Sequence, residues 1–357
     1  MKIFFVVGGL SGSGGIDRVV AILSDYFVEN GYAVSILLLG CRIDFKTRAK
    51  KIYYHITPGY KFLRNFREFI AIWKVKKRIR LEQPNIVYNT CWLLPLIYYQ
   101  YRKKIFSAIH WDPRSQKQHV NWKLRFLTRC FRCSGTIIVP NENLKLILKK
   151  EFGFKNVIDI PNPIDFRLIG DKELPLPSDV AHLFPYILAA GRLERDKNFD
   201  LLIRAYNMGD AKEHVRLLII GCGSLKVELQ NLIDRLGLRN KVYLMGSRAN
   251  LFSYMCNCIF FASSSKVETF SMVLAEALAC GVPVVSTNIE GPRCFVVDNE
   301  NGFLVEKDDI LHFAQVIDKL YFDEQTRGRL KNKARLSVEK LSVNKIGLIY
   351  KRLFSKD

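Results

Sequence analysis

The chain has no long apolar run. None of its stretches approaches the ~18–20 apolar residues that cross a bilayer. The longest candidate, Trp92 to Tyr101, is short and broken by Pro95 and Gln100. The apolar run after Lys2, IFFVVGG, is too short for a secretion signal and is soon followed by Asp17 and Arg18, so it reads as a first strand. A cysteine framework is missing as well. The nine Cys follow no regular spacing, which points to a reducing cytoplasm. Cys130-x-x-Cys133 has no second pair and no nearby His, so it does not read as a zinc site, and Cys256 and Cys258 read as core. No phosphate-binding P-loop is present, because Ile16 and Asp17 stand where the glycines of SGSGGIDRVV (11–20) would need Lys and Ser or Thr. Asp17 also occupies the third Gly place of a dinucleotide fingerprint. No Asp-x-Asp occurs anywhere. Acidic residues are scarce in one half only. Residues 1–170 carry 29 Lys and Arg against 11 Asp and Glu, whereas residues 171–357 carry 26 against 23. A basic half of this kind favours an anionic partner: a lipid headgroup, a pyrophosphate lipid or a nucleic acid.

What is there is βαβ alternation, twice. KIFFVV (2–7), AVSILLL (33–39), NIVYN (85–89), KIFSAIH (104–110) and GTIIVP (135–140) read as short apolar strands separated by helical stretches. Prolines then crowd residues 160–185, which predicts a linker over 169–185. A second series follows: YILAAG (186–191), VRLLIIG (215–221), KVYLMG (241–246), CIFFAS (258–263) and VPVVS (282–286). At 357 residues the chain accommodates two domains. The economical reading is α/β, with two doubly wound, Rossmann-like parallel-sheet domains facing across a cleft.

The segment KVETFSMVLAEALACGVPVV (266–285) carries the most chemical information. Glu268 falls in a loop that opens a helix, and Glu276 lies about two turns further on. Carboxylates accept hydrogen bonds from hydroxyls, and a helix N-terminus attracts an anion. Together they suit a ligand with many hydroxyls and a phosphate, as a nucleotide sugar has. GRLERDKN, starting at Gly191 just after a strand, places Arg192 and Lys197 near a helix start, where the macrodipole disfavours cations unless an anion is held there. Gly14 and Gly15 in SGSGGIDRVV allow close backbone approach to a phosphate or sugar. His110, followed by Trp111 and Asp112, stands at a strand's carboxyl end, where ligands of such sheets bind. IPNPID (160–165) reads as a strand and a rigid turn at the domain junction, with Asn162 fixing the turn.

Taken in order, the two Glu at 268 and 276, ALACGVPVV, GRLERDKN, GGIDRVV, IPNPID and IIGCGSLKVEL resemble glycosyltransferase family 4, the retaining transferases of GT-B fold. The resemblance covers essentially the whole chain and is strongest over 186–305. EGPRCFV (290–296) is similar to the GPRE variant of transferases building bacterial surface polysaccharides and lipid-linked oligosaccharides, with Cys294 in place of the usual Glu. The family usually has Gly after its first Glu, where this chain has Thr269. The resemblance implies roles. Glu268 with the backbone of Thr269, Phe270 and Ser271 would hold the donor sugar and phosphates. Glu276 would bind the ribose, and Arg192 and Lys197 would pair with the diphosphate leaving group. Gly14 and Gly15 would lie against diphosphate or acceptor, and His110 beside the transferred sugar. It also implies domains at 1–168 for acceptor and membrane and 186–337 for the nucleotide sugar, with a C-terminal helix (338–357) crossing back to the first. No metal and no other cofactor is expected.

The segment KFLRNFREFIAIWKVKKRIR (61–80) admits two readings. Phe62, Phe66, Phe69, Ile70 and Trp73 can share a helical face packed on the first sheet, or the helix can lie on anionic lipid through its cations. The expected partners are a nucleotide sugar of the UDP kind, a lipid-linked or polysaccharide acceptor, and an anionic membrane surface, with no nucleic acid. The expected place is the cytoplasmic face of the membrane, held peripherally. Two other readings stay open: a nucleotide-sugar epimerase of the same architecture, and a non-catalytic basic scaffold binding membrane or nucleic acid.

Overall fold

The computed structural model describes residues 1–8, 15–39, 47–49, 51–54, 73, 75–91, 105–116, 135–169, 174–248 and 250–355. The chain separates into two compact units. One comprises Met1–Pro163 with Val343–Asp357; the other is Ile164–Ser342. The division therefore falls at Pro163, a few residues before the linker read at 169–185, and Ile164 already bridges to Ser342 within the second unit.

The first unit holds a seven-stranded sheet: β1 (Lys2–Val7), β2 (Ala33–Leu38), β3 (Lys51–Tyr54), β4 (Ile86–Asn89), β5 (Ile105–Ala108), β6 (Thr136–Val139) and β7 (Val157–Asp159). Its order is β3-β2-β1-β4-β5-β6-β7, and every pairing is parallel. β1 is central, and Ile3 to Val7 are fully buried, as a continuous apolar run in a sheet covered on both faces should be. Helix α1 (Gly15–Glu29) buries Val19, Val20, Leu23 and Phe27 at helical spacing. Helix α2 (Glu142–Lys150) is capped by Asn141, whose side chain accepts from the Leu144 amide.

The second unit holds β8 (Tyr186–Ala190), β9 (Arg216–Ile220), β10 (Val242–Gly246), β11 (Phe261–Ser263), β12 (Val284–Thr287) and β13 (Gly302–Val305). The order is β10-β9-β8-β11-β12-β13, again parallel throughout. Around it lie α3 (Phe199–Met208), α4 (Lys226–Arg235), α5 (Leu251–Asn257), α6 (Met272–Ala279), α7 (Glu290–Arg293), α8 (Ile310–Phe322) and α9 (Glu324–Val338). One core joins Leu202 and Tyr206 of α3, Ile233 of α4, and Phe313 and Ile317 of α8 to the strands.

The last helix, α10 (Val343–Ser355), belongs to the first unit. Phe354 packs against Phe27 at 5.5 Å and Phe106 at 4.8 Å between centroids. Such pairs each add about 0.5–1.5 kcal/mol beyond their area. The Tyr88 and Tyr350 hydroxyls meet at 3.4 Å, and burial pushes the Tyr88 phenol up to about 12. Gly347 lets α10 approach α1, since a Cβ there would overlap the Tyr26 ring.

β3, β7 and β13 differ from the sequence reading, which has no strand over 51–54 or 302–305 and starts the strand before the junction at Ile160. All three are edge strands of three or four residues. Phe62 to Ile70 and Cys130 to Cys133 lie outside the described residues. Residues 75–82 are helical, and Val75 and Ile79 join Phe4, Val6 and Leu37 in the core. Trp73 does not share that buried face: it is 61 % exposed, with the Lys77 ammonium 5.5 Å from its ring. Cys258 is buried, and Cys256 is half-buried and hydrogen-bonded to Cys280.

Candidate active site

In both sheets the chain runs outward from a central strand in one direction, then returns and runs outward in the other. The reversals lie between β1 and β4 and between β8 and β11. Ligands of such sheets bind outside the carboxyl ends of the strands at these reversals. In the second unit the loops leaving those two strands are 191–198 and 264–271, and they carry Arg192, Lys197 and Glu268.

The two loops are tied by backbone and side chain. The Lys266 amide donates to the Asp196 carbonyl at 2.7 Å, and Ser264 Oγ donates to the Lys197 and Asn198 carbonyls at 3.0 and 2.9 Å. Lys197 Nζ and Glu268 Oε1 form an ion pair whose side chains are each 15 % exposed. Ser265 Oγ also donates to Glu268 Oε1, at 3.2 Å. Arg192 lies further out, half its surface in solvent, and pairs with Asp196 at 3.2 Å. A third loop braces them. Leu193 and Cys222 share a backbone bond of 2.9 Å, and Glu194 accepts from the Ser224 amide and hydroxyl at 2.9 and 2.7 Å. Those bonds hold the Glu194 carboxyl below its ordinary range. Gly221 and Gly223 make this approach possible, because a Cβ on either would meet the backbone of Gly191 or Leu193.

Behind Glu268 the chain turns sharply into α6. Ser271 is in the left-handed region, at φ 65° and ψ 70°, and is only 4 % exposed. Its Oγ is buried with no hydrogen-bond partner among the described residues. Phe270 is buried against Phe295, with centroids 5.3 Å apart. Thr269 is partly exposed in the loop. Glu276 is 2 % exposed in the interior of α6, where the sequence pattern alone permits a solvated carboxylate. So the second unit gathers Arg192, Lys197, Glu268, Thr269, Phe270, Ser271 and Glu276 on two stitched loops and the helix they feed.

His110 and Gly15 lie in the first unit. His110 follows β5, its Nε2 is buried, and burial pushes the imidazole down to about 4, so it is neutral near pH 7. Asp112 is engaged by Arg114, with Nη2 to Oδ2 at 2.7 Å. Gly15 opens α1, while Gly14 lies outside the described residues.

Comparison with known proteins identifies the family. Residues 13–168 match the family model for Glycosyltransferase Family 4, and residues 178–337 that for Glycosyl transferases group 1. The chain is 33% identical to the N-acetylgalactosamine-N,N'-diacetylbacillosaminyl-diphospho-undecaprenol 4-alpha-N-acetylgalactosaminyltransferase of Campylobacter jejuni, over 91% of each chain. The chain belongs to glycosyltransferase family 4. The lipopolysaccharide core biosynthesis glycosyltransferase LpsE of Rhizobium meliloti is 32% identical over 64% of this chain and 69% of its own. Among solved structures, Anabaena HepE in complex with UDP-glucose superposes with a TM-score of 0.81 at 19% identity, covering both chains fully. That likeness assigns the fold, GT-B.

Several residues that shape these loops are absent from the sequence reading. Ser264, Ser265 and Thr287 are buried polar groups, and Thr287 Oγ1 holds the Ser265 carbonyl at 2.5 Å. The signal was there: a Ser-Ser-Ser run at the carboxyl end of an apolar strand is costly to bury unless its hydroxyls are bonded. Gly221, Gly223 and Gly291 carry no chemical group, and only the packing shows why they matter.

Proposed function

We propose that this glycosyltransferase moves a hexose or N-acetylhexosamine, with retention, from a UDP-sugar to a lipid-linked glycan or a surface-polysaccharide acceptor. The observation that carries the reading is the Lys197–Glu268 pair at the strand reversal, directly before the buried N-terminus of α6. A cation and a carboxylate already held together in a half-buried loop can divide a nucleotide sugar between them. Lys197, with Arg192, takes the diphosphate, and Glu268 accepts from sugar hydroxyls. The amides of Thr269 to Ser271 add donors to the phosphates at the helix start. Glu276, deeper in α6, accepts from the ribose.

In the proposed step the anomeric carbon–diphosphate bond breaks and the acceptor oxygen bonds to that carbon on the same face. The acceptor proton passes to the departing diphosphate. Arg192 and Lys197 stabilise the charge that develops there, which is the term that dominates such reactions. These cations take the place of a divalent metal, so transfer proceeds in EDTA. His110, neutral, hydrogen-bonds the transferred sugar, and Gly14 and Gly15 lie against diphosphate or acceptor. The C. jejuni relative acts on a diphospho-undecaprenol-linked glycan, and HepE binds UDP-glucose, which supports the acceptor and donor classes.

We further propose that the enzyme works on the cytoplasmic face of a membrane, bound peripherally. Among the described residues no helix is long and apolar enough to cross one. Trp73 stands exposed with the exposed Lys77 ammonium over its ring, the pairing of aromatic and cation that settles at a lipid interface.

The test is binding of UDP-, GDP-, ADP- and CMP-sugars in EDTA, for wild type and Glu276→Ala. Binding of UDP-sugars alone, weakened by the substitution, supports the reading. Binding of none removes it, and a changed sugar without transfer would favour the epimerase.

A further inference from the structure

Glu268 is held from one side by Lys197 and Ser265, but its loop also has a back. The segment leaving β12 turns into the four-residue helix α7 and then into Phe295. The Gly291 amide donates to the Glu268 carbonyl at 3.0 Å. A Cβ on Gly291 would sit 2.8 Å from Glu268 Cβ, 2.9 Å from the Phe270 amide nitrogen and 3.0 Å from the Glu268 carbonyl oxygen. Two of those three neighbours are main-chain atoms, so no side chain can swing aside to make room. Nor can α7 easily yield. Pro292 is buried and fixes the backbone next to Gly291. On the outer side Arg293 Nε donates to Asn288 Oδ1 at 2.6 Å, and Asn288 Nδ2 donates to Glu306 at 2.5 Å. One turn further on, Phe295 packs on Phe270.

We propose that segment 288–296 is a rigid seat that sets the position of the 268–271 loop, and that Gly291 is its positioning residue. The seat decides where the Glu268 carboxylate and the Thr269 to Ser271 amides stand relative to the donor's sugar and diphosphate. It leaves the ribose contact of Glu276 alone. This rests on the donor reading above, but the seat itself can be tested without any ligand.

The variant is Gly291→Ala, with Gly328→Ala as control, since a Cβ at Gly328 meets open space. First, the coupling between Lys197 and Glu268 is measured by denaturation, using Lys197→Met, Glu268→Gln and the double variant, in wild-type and Gly291→Ala backgrounds. A displaced loop should abolish most of that coupling, while Gly328→Ala preserves it. Coupling that survives Gly291→Ala unchanged overturns the seat. Second, affinities for UDP-N-acetylglucosamine and for uridine are compared. Gly291→Ala should weaken the first by about tenfold or more, the reach of a lost charge-assisted hydrogen bond, and change uridine by less than about twofold. Equal losses on both ligands would mean general damage to the unit and refute a positioning role. If the coupling collapses but wild type binds no nucleotide sugar, the seat stands and the donor reading falls.

Discussion

Ser271 offers a perturbation whose effects on stability and on binding run in opposite directions. A residue with a Cβ in the left-handed region costs about 1–2 kcal/mol, and Ser271 sits there at φ 65°. Its buried hydroxyl, unbonded among the described residues, adds about 1–3 kcal/mol. Ser271→Gly removes both costs and introduces about 0.5–1 kcal/mol of extra chain entropy. The net expectation is a gain of about 2 kcal/mol. A unit of this size gains roughly 2–4 °C per kcal/mol, so its melting temperature should rise by roughly 4–8 °C in calorimetry. The same hydroxyl, if kept free for a donor phosphate, contributes a hydrogen bond to a charged group, worth about 1.5–3 kcal/mol. Donor affinity should therefore fall about 10–100-fold in titration calorimetry. A Ser271→Gly protein that melts lower would show that the strain is not there. One that melts higher but binds a UDP-sugar as well as wild type would show that the hydroxyl does not serve the donor.

Removing one partner of the Lys197–Glu268 pair leaves the other half-buried and alone, so either single variant should cost more stability than the double, with a coupling of about 0.5–3 kcal/mol in urea unfolding. His110 holds its imidazole at about 4, against about 6.5 in an unfolded chain. Below pH 6.5 the unfolded chain takes up a proton that the folded one refuses. Stability from this group is thus present above pH 6.5 and lost as pH falls towards 4, by about 3 kcal/mol in all. His110→Asn should flatten that part of the melting profile, and an unchanged pH dependence would refute the assignment. Gly347→Ala forces a methyl into the Tyr26 ring and should destabilise the first unit by about 1–3 kcal/mol while sparing the second in differential calorimetry. Glu276→Gln keeps the volume of a buried side chain but loses its charge, so nucleotide affinity should drop about tenfold with little change in melting.

Central strands and charged loop residues were legible in the sequence. β1, β8 and β9 are continuous apolar runs, and such runs are what a two-sided sheet demands. Arg192, Lys197, Glu268 and Glu276 stood out because charges beside helix starts and apolar segments call for a partner. Three edge strands, β3, β7 and β13, were not legible, although the fourth, β10, was read from KVYLMG (241–246). Nor was the depth of Glu276, because spacing says which face a residue shares but not how thickly that face is covered. The glycines escaped for a different reason. Gly223 and Gly291 matter for the main-chain atoms that a Cβ would strike, and those atoms belong to segments remote in sequence.

The placement of α10 in the first unit also sets an order of assembly. The second unit is one unbroken stretch, Ile164–Ser342. The first unit is begun before it but needs Val343–Ser355 to cover Tyr26, Phe27 and Phe106. During synthesis at roughly 5–20 residues per second, the incomplete first unit therefore waits on the order of 10–40 s while the intervening stretch is made. For that interval its aromatic seam has no lid, and the later unit can finish folding before the earlier one. A ribosome-bound chain released just after Ser342 would carry a complete second unit and a sticky first, and would call on a holdase in the cell more than its length suggests.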